Sequence, residues 1–260
     1  MNEKTARALL EKVRSDYDAI AYDFSKSRDY FWHEFDQFLP FISDKVFCAE
    51  SNHKAVRTKI LDLGCGNGRL YGFLSHSFQN KFEYTGIDNS KAIIQEANKR
   101  YGRGGVHIFS PEGIRRSKMV RRPHKPRFIV SDMLSLPFPD ESFDIVFSLA
   151  SFHHIPSRAF RIKALKEIHR VLKPDSTCIL LTWNLWRKKY FMRFLRSFFQ
   201  FVVTFGKYDP NDLFIPWQGR IFRYYHAFTF WGLQKMVREN GFKVLKSFRG
   251  RNFILIMKKI

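Results

Sequence analysis

The stretch KILDLGCGNGRL, residues 59–70, decides the fold. Ile60, Leu61 and Leu63 form a short apolar run suited to a buried parallel strand. The chain then bends through Gly64, Gly66 and Gly68 before a helical pattern resumes. Glycines at such a bend permit positive φ and let a ligand approach the backbone. Working outward, FEYTGID (82–88) reads as the next strand, and Ser90 is placed to cap the helix KAIIQEANKRYG, which ends at Gly102. RFIVSDM (127–133), SFDIVFSLA (142–150) and TCILLTW (177–183) continue the sheet, with an amphipathic helix at 158–172. The closing GFKVLKSFRGRNFILIMKK (241–259) reads as two strands joined around Arg249-Gly250-Arg251. Strands alternating with helices, then a hairpin, predict an α/β fold. It is Rossmann-like, with a seven-stranded sheet, helices on both faces and a C-terminal antiparallel hairpin.

Before the first strand, Ala6, Leu9, Leu10, Val13, Tyr17, Ile20 and Phe24 recur at helical spacing, and a second helix is expected over 29–42. A single domain over 1–260 is expected, with three embellishments: a helical cap at 1–45, a basic insertion at 103–127 and an aromatic, basic, irregular region at 186–232. The 103–127 segment carries Arg103, Arg115, Arg116, Lys118, Arg121, Arg122, Lys125 and Arg127 against one acid, Glu112. Formal net charge is +21, which favours a polyanionic partner, nucleic acid or an anionic membrane surface. Cys48, Cys65 and Cys178 lie far apart, so neither a zinc site nor a disulfide framework is indicated, and no metal is expected. The N-terminus does not read as a secretory signal and no apolar run reaches the ~20 residues of a spanning helix. A cytoplasmic location is expected.

The glycine loop is joined by acids at three strand ends. Asp88, with Asn89 beside it, follows the loop by about 20 residues, where a carboxylate accepts ribose hydroxyls. Asp132 ends the third strand, with Met133 and Leu134 placed to pack against an adenine ring, and Leu149 ends the fourth strand. The loop spacing is G-x-G-x-G, not the G-x-G-x-x-G that seats a pyrophosphate. Asp62 suits a cationic sulfonium and amino group. S-adenosylmethionine (SAM) is therefore the expected cofactor, held by Asp62, Gly64, Cys65, Gly66, Gly68, Asp88, Asn89, Asp132, Met133 and Leu149. Cys65 reads as a small loop residue.

The segments YDAIAYDFSKSRDYFW (17–32), ILDLGCGNGRL (60–70), SDMLSLPFPDESFDIVFSLASFHHIPS (131–157), EIHRVLKP (167–174), DLFIPW (212–217) and RYYHAF (223–228) carry a closer likeness. Together they resemble the tRNA wobble-uridine carboxymethyl methyltransferases, including the methyltransferase part of AlkB-homologue proteins. The glycine loop alone says only methyltransferase; the paired histidines, DLFIPW and RYYH point to this family. Asp175-Ser176 departs from the Gly-Gly turn of many relatives, and the 103–127 and 187–208 stretches look expanded.

The resemblance implies methyl transfer to the carboxylate of a modified wobble uridine in tRNA, giving a methyl ester, and in some relatives a small zinc-containing activator subunit. A carboxylate has a reference pKa of about 4, so it needs no general base, only alignment and a grip. Arg28 and Arg223 are the candidates for that grip, a planar fork suiting a carboxylate. Of His153 and His154, one is expected to hydrogen-bond the acceptor and the other to cap the next helix. Tyr17 and Trp32 are candidates to close over the methionine end of the cofactor, core packing being the alternative. The basic 103–127 stretch is expected on tRNA phosphates, and Tyr224, Tyr225, His226, Phe228 and Trp231 on a splayed base. Around 187–208, WRKKYFMRFLRSFFQFVVTF reads as an interfacial amphipathic helix or as a lid packed on the core. Two other readings stay open: a methyltransferase of a small lipophilic acid or quinone precursor, and a non-catalytic SAM-fold protein that binds RNA or activates a partner.

Overall fold

The computed structural model describes residues 1–28, 30–48, 57–78, 82–102 and 125–260. Helix α1 (Glu3–Lys26) is capped by Asn2, whose side chain accepts from the Thr5 backbone N–H. Next come a 3₁₀ turn (His33–Gln37) and helix α2 (Leu39–Cys48). The continuous helix expected over 29–42 is thus broken in two. Pro40 explains the break: it has no N–H to bond a preceding turn, so the helix starts around it instead of running through it.

Strand β1 (Thr58–Leu63) runs into α3 (Arg69–Phe78), β2 (Phe82–Asp88) into α4 (Lys91–Tyr101), and β3 (Arg127–Val130) follows. Then come β4 (Phe143–Leu149), α5 (Arg158–Val171), β5 (Leu172–Trp183) and α6 (Phe191–Val203). A separate hairpin, β6 (Asp212–Trp217) and β7 (Ile221–His226), precedes α7 (Phe230–Arg238) and the terminal strands β8 (Phe242–Arg249) and β9 (Asn252–Lys259). The main sheet has seven strands in the order β3-β2-β1-β4-β5-β9-β8. The first five are parallel, while β9 pairs antiparallel with both β5 and β8. The predicted sheet and terminal hairpin are both present.

Alternate residues of the central strands feed two cores. Leu61, Leu63, Val146, Leu180 and Leu255 pack with Ala164, Leu165 and Ile168 of α5 and Leu233 of α7. Their neighbours Ile60, Ile145, Phe147, Ile179 and Ile254 pack on the other face with Leu70 and Leu74 of α3 and with Phe35, Phe38 and Ile42. Each fully buried aliphatic contributes about 1.5–3 kcal/mol, so these strands are held from both sides. Asp175, where relatives were expected to carry glycine, sits at φ +59°, and Lys258 pairs with its carboxylate at 2.9 Å. Asp tolerates that left-handed conformation better than most residues, so the tight turn survives without glycine.

Two expectations change. The region 186–232 is not irregular: it holds α6, the β6–β7 hairpin and the first residues of α7. Pro216 disguised the hairpin, because proline reads as a strand breaker; here it lies in a two-stranded ribbon that tolerates it. Gln218 and Gly219 both take positive φ, and Arg220 N–H donates to the Trp217 carbonyl at 3.0 Å, closing a mirror-image turn. Nor is α6 a lid packed on the core, since its apolar face is exposed. Most of the basic 103–127 stretch, residues 103–124, lies outside the described residues. No described helix is long and apolar enough to cross a membrane.

Candidate active site

The chain order reverses between β1 and β4, and the carboxyl ends of the strands open there into a cleft of about 1150 Å³, part of it open to solvent. At its floor β1 turns through Gly64 (φ +71°) and Gly66 (φ +56°). A Cβ on Gly64 would collide with Ser151 Cβ, because Ser151 Oγ donates to the Leu63 carbonyl at 2.6 Å and draws the two strand ends together. Gly64 and Cys65 N–H both donate to the Ile87 carbonyl, at 2.8 and 2.9 Å, and Gly66 N–H donates to Asp88 Oδ2 at 3.2 Å. The loop therefore hangs from the end of β2, at the mouth of the cleft.

Asp62 is buried at the end of β1 and accepts from Tyr84 Oη at 2.5 Å. Burial pushes its carboxyl up to about 7, against the stabilising Tyr84 bond and Arg69; Asp88 adds to the rise. Asp88 is raised to about 6, again by burial, while N–H bonds from Ser90 and Gly66 oppose it. Both acids are short of positive partners and are suited to a ligand carrying an ammonium or hydroxyls. Asn89, Met133, Leu134 and Leu149 line the same cleft. Asp132 lines it as well, one oxygen accepting from Leu134 N–H at 2.9 Å. Cys65 lines it too, but burial holds its thiol well above its usual pKa, so it acts as a small neutral residue. Gly68 does not line the cleft; it supports the loop from behind, facing Tyr101 and Phe128.

Helix α1 closes one side. Asp18 accepts from Ser90 Oγ at 2.6 Å and from Ala92 N–H at 3.1 Å, fastening α1 to the start of α4. Tyr17 then reaches the cleft and joins three candidates into one chain. His154 Nδ1 lies 2.7 Å from the Tyr224 carbonyl, which only accepts, so Nδ1 carries the proton and Nε2 is an acceptor. Tyr17 Oη, 2.9 Å from that Nε2, must donate to it, and in turn accepts from Arg223 Nη1 at 3.1 Å. His154 is pushed down to about 3 by burial and by Arg223, so it is a neutral relay whose two nitrogens are already used. His153 is buried behind the cleft wall; its Nδ1 accepts from Trp183 N–H at 3.2 Å and its ring lies against Tyr225. The expected helix-capping role belongs to neither histidine, since Ser157 caps α5.

Arg28 and Arg223 both line the cleft, and their guanidinium carbons lie 5.0 and 4.5 Å from the Trp217 indole centroid. No carboxylate among the described residues pairs with either, and Arg223 Nε is buried without a hydrogen-bond partner. Burial lowers the Arg28 pKa from its usual value. Two residues were not foreseen. Trp217 is in contact with both guanidiniums. Arg69, directly after the glycine loop, stacks on Trp32 at 4.0 Å, its buried Nη1 has no partner among the described residues, and burial pushes it down to about 9. Trp32 thus forms a platform for Arg69 within the cleft. The expected base-stacking group does not assemble: Tyr224, Tyr225, His226 and Phe228 are buried, and only Trp231 is exposed.

The cleft's donor set fits S-adenosylmethionine. Asp62 and Arg69 would hold its amino and carboxylate groups, Asp88 its ribose, and Met133 and Leu134 its adenine. Comparisons agree with the fold and the cofactor. The methyltransferase-domain family matches residues 61–180. A putative methyltransferase of Encephalitozoon cuniculi is 31% identical over 231 residues, 88% of this chain and 86% of that protein. The human probable tRNA methyltransferase 9B is 23% identical over 217 residues, 84% of this chain. The Arabidopsis thaliana tRNA (carboxymethyluridine(34)-5-O)-methyltransferase is 28% identical over 167 residues, 64% of this chain. The matches span only 35% and 31% of those two longer proteins. Among solved structures, a SAM-dependent methyltransferase from Methanosarcina mazei superposes with a TM-score of 0.60 at 25% identity, covering 78% of this chain and 93% of that one.

Proposed function

The chain belongs to the SAM-dependent methyltransferase family, and from that premise we propose that its acceptor is the carboxylate of a modified wobble uridine in tRNA, which it converts to the methyl ester. The observation that carries this reading is the pair of cleft arginines, Arg28 and Arg223, both in contact with Trp217 and with no carboxylate partner among the described residues. A buried guanidinium with an unpaired N–H is costly unless an anion completes it. The likeness to tRNA methyltransferases supports the same substrate class.

Bound S-adenosylmethionine supplies a methyl on a cationic sulfonium, open to in-line displacement by a nucleophile. Arg28 and Arg223 hold the acceptor carboxylate, and Tyr17, fixed by His154 on one side and Arg223 on the other, sets the direction of the fork. A carboxylate held there would have no proton to lose, so these residues would need only to position it. A phenolic acceptor would differ. It has a pKa of about 10 and needs a base. The cleft histidine, His154, is held near 3 with Nε2 occupied, and its chemistry therefore favours a carboxylate over a hydroquinone.

Nucleoside mass spectrometry tests the proposal. Protein incubated with SAM and tRNA bearing 5-carboxymethyluridine should add one methyl to that nucleoside. Arg223→Ala should abolish the gain and leave SAM binding nearly intact. Bound SAM with an unmodified carboxymethyluridine would refute the assignment.

A further inference from the structure

Helix α6 is mounted with its polar side on the protein and its apolar side outward. Toward the protein, Ser197, 4% exposed, donates through Oγ to the Asp212 carbonyl at 2.6 Å, and Arg193 Nη1 donates to the Phe214 carbonyl at 3.0 Å. At 100° per residue, Phe191, Met192, Leu195, Phe198, Phe199, Val202 and Val203 occupy one sector on the opposite side. All seven are exposed, Phe199 by 67%, and Phe205, just past the helix, is 99% exposed. A helix on a water-facing surface ordinarily buries such a sector; contiguous exposed apolar surface of this kind marks a binding face.

The surrounding charge selects the occupant. From 176 to 208 the chain has no Asp or Glu, while Arg187, Lys188, Lys189, Arg193, Arg196 and Lys207 supply positive charge. Arg187, Lys188, Lys189, Arg196 and Lys207 are exposed around the apolar sector. We propose that α6, with Phe205, is an interfacial helix that seats this protein on an anionic lipid surface. Its apolar sector would enter the acyl boundary and the flanking Lys and Arg would meet lipid phosphates. The 13 residues of α6 are too few to cross a bilayer but suit a helix lying in its plane. The face carries no hydrogen-bonding side chain to read a base edge, and its Met192, Leu195, Val202 and Val203 give a nucleic acid nothing to stack on, whereas an acyl layer takes them together with the phenylalanines.

Co-flotation of the full chain with vesicles tests this. One set is phosphatidylcholine alone and the other contains roughly 30% phosphatidylserine. The protein should float with the anionic set, and Leu195→Ser/Phe199→Ser should weaken that by at least about tenfold, charge being unchanged. SAM binding by the same variant shows that it is folded, because neither residue lines the cleft. Equal flotation of variant and wild type would overturn the proposal, leaving only general attraction by a basic protein. No flotation of the wild type would also overturn it. So would a dimer of the wild type that the double substitution converts to monomer, or tRNA affinity that falls with it while flotation does not.

Discussion

Asp62→Asn should stabilise the cofactor-free protein while weakening SAM binding. Raising a carboxyl from 3.8 to about 7 in the folded state means that keeping it charged at pH 8 costs up to about 4 kcal/mol. Asn removes that charge and can still accept from Tyr84 Oη. With half of the cost recovered, about 2 kcal/mol, Tm should rise by about 4–8 °C at pH 8. The sign follows from proton binding. Between about 4 and 7 the folded carboxyl binds a proton more tightly than the unfolded one, so wild-type stability falls as pH rises through that window. At pH 5 the wild-type carboxyl is largely protonated, and most of the variant's advantage should disappear. SAM loses its charge-assisted bond from ammonium to carboxylate, about 1.5–3 kcal/mol, or roughly 10- to 150-fold in Kd. Thermal melts at pH 5 and pH 8, with calorimetric SAM titration at pH 8, read both effects. A variant that melts lower than wild type at pH 8, or binds SAM equally well, would show that Asp62 carries neither the buried charge nor the ammonium contact.

The remaining predictions concern the same cleft. In the wild type, the KM for SAM should rise as pH falls through about 7 and then 6, as Asp62 and Asp88 gain protons; a flat KM from pH 8 to pH 5.5 would contradict this. Gly64→Ala combines a collision with Ser151 and φ +71°, so it should lose more than about 2 kcal/mol of stability in denaturant melts. Gly66→Ala meets only Phe24 at 3.4 Å and should cost about 1–2 kcal/mol of backbone strain, keeping its fold. Arg69→Met removes a buried cation whose Nη1 has no partner among the described residues, so Tm should hold or rise while SAM affinity falls by about tenfold or more.

Local chemistry made much of the cofactor side legible. The glycine bend, the Ser90 cap, the end of α4 at Gly102 and the acids ending β1 and β2 are all set within a few residues of where they act. The acceptor side depends on distant pairings. Tyr17 and Arg223 are 206 residues apart, and only the folded sheet shows that His154 spends both nitrogens, one on Tyr17 and one on the β7 backbone. His153 and His154 look equivalent as neighbours, yet only His154 faces the cleft. Arg69 was hidden because an arginine opening a helix reads as a solvated residue, and the Trp32 beneath it comes from a separate turn. In α6 the apolar periodicity was plain, but its direction was not. Ser197 and Arg193 find β6 carbonyls to donate to, and that fixes which side faces inward.

The proposed reaction needs a methyl donor at the acid-lined loop and an anion gripped by Arg28 and Arg223. Its most direct test is transfer of a radiolabelled methyl from SAM to tRNA bearing 5-carboxymethyluridine, followed by mild alkali. A methyl ester should release the label as volatile methanol, and Arg28→Ala/Arg223→Ala should remove the signal with SAM affinity within about threefold of wild type. Label that survives alkali on the nucleoside, or a double variant that no longer binds SAM, would contradict it.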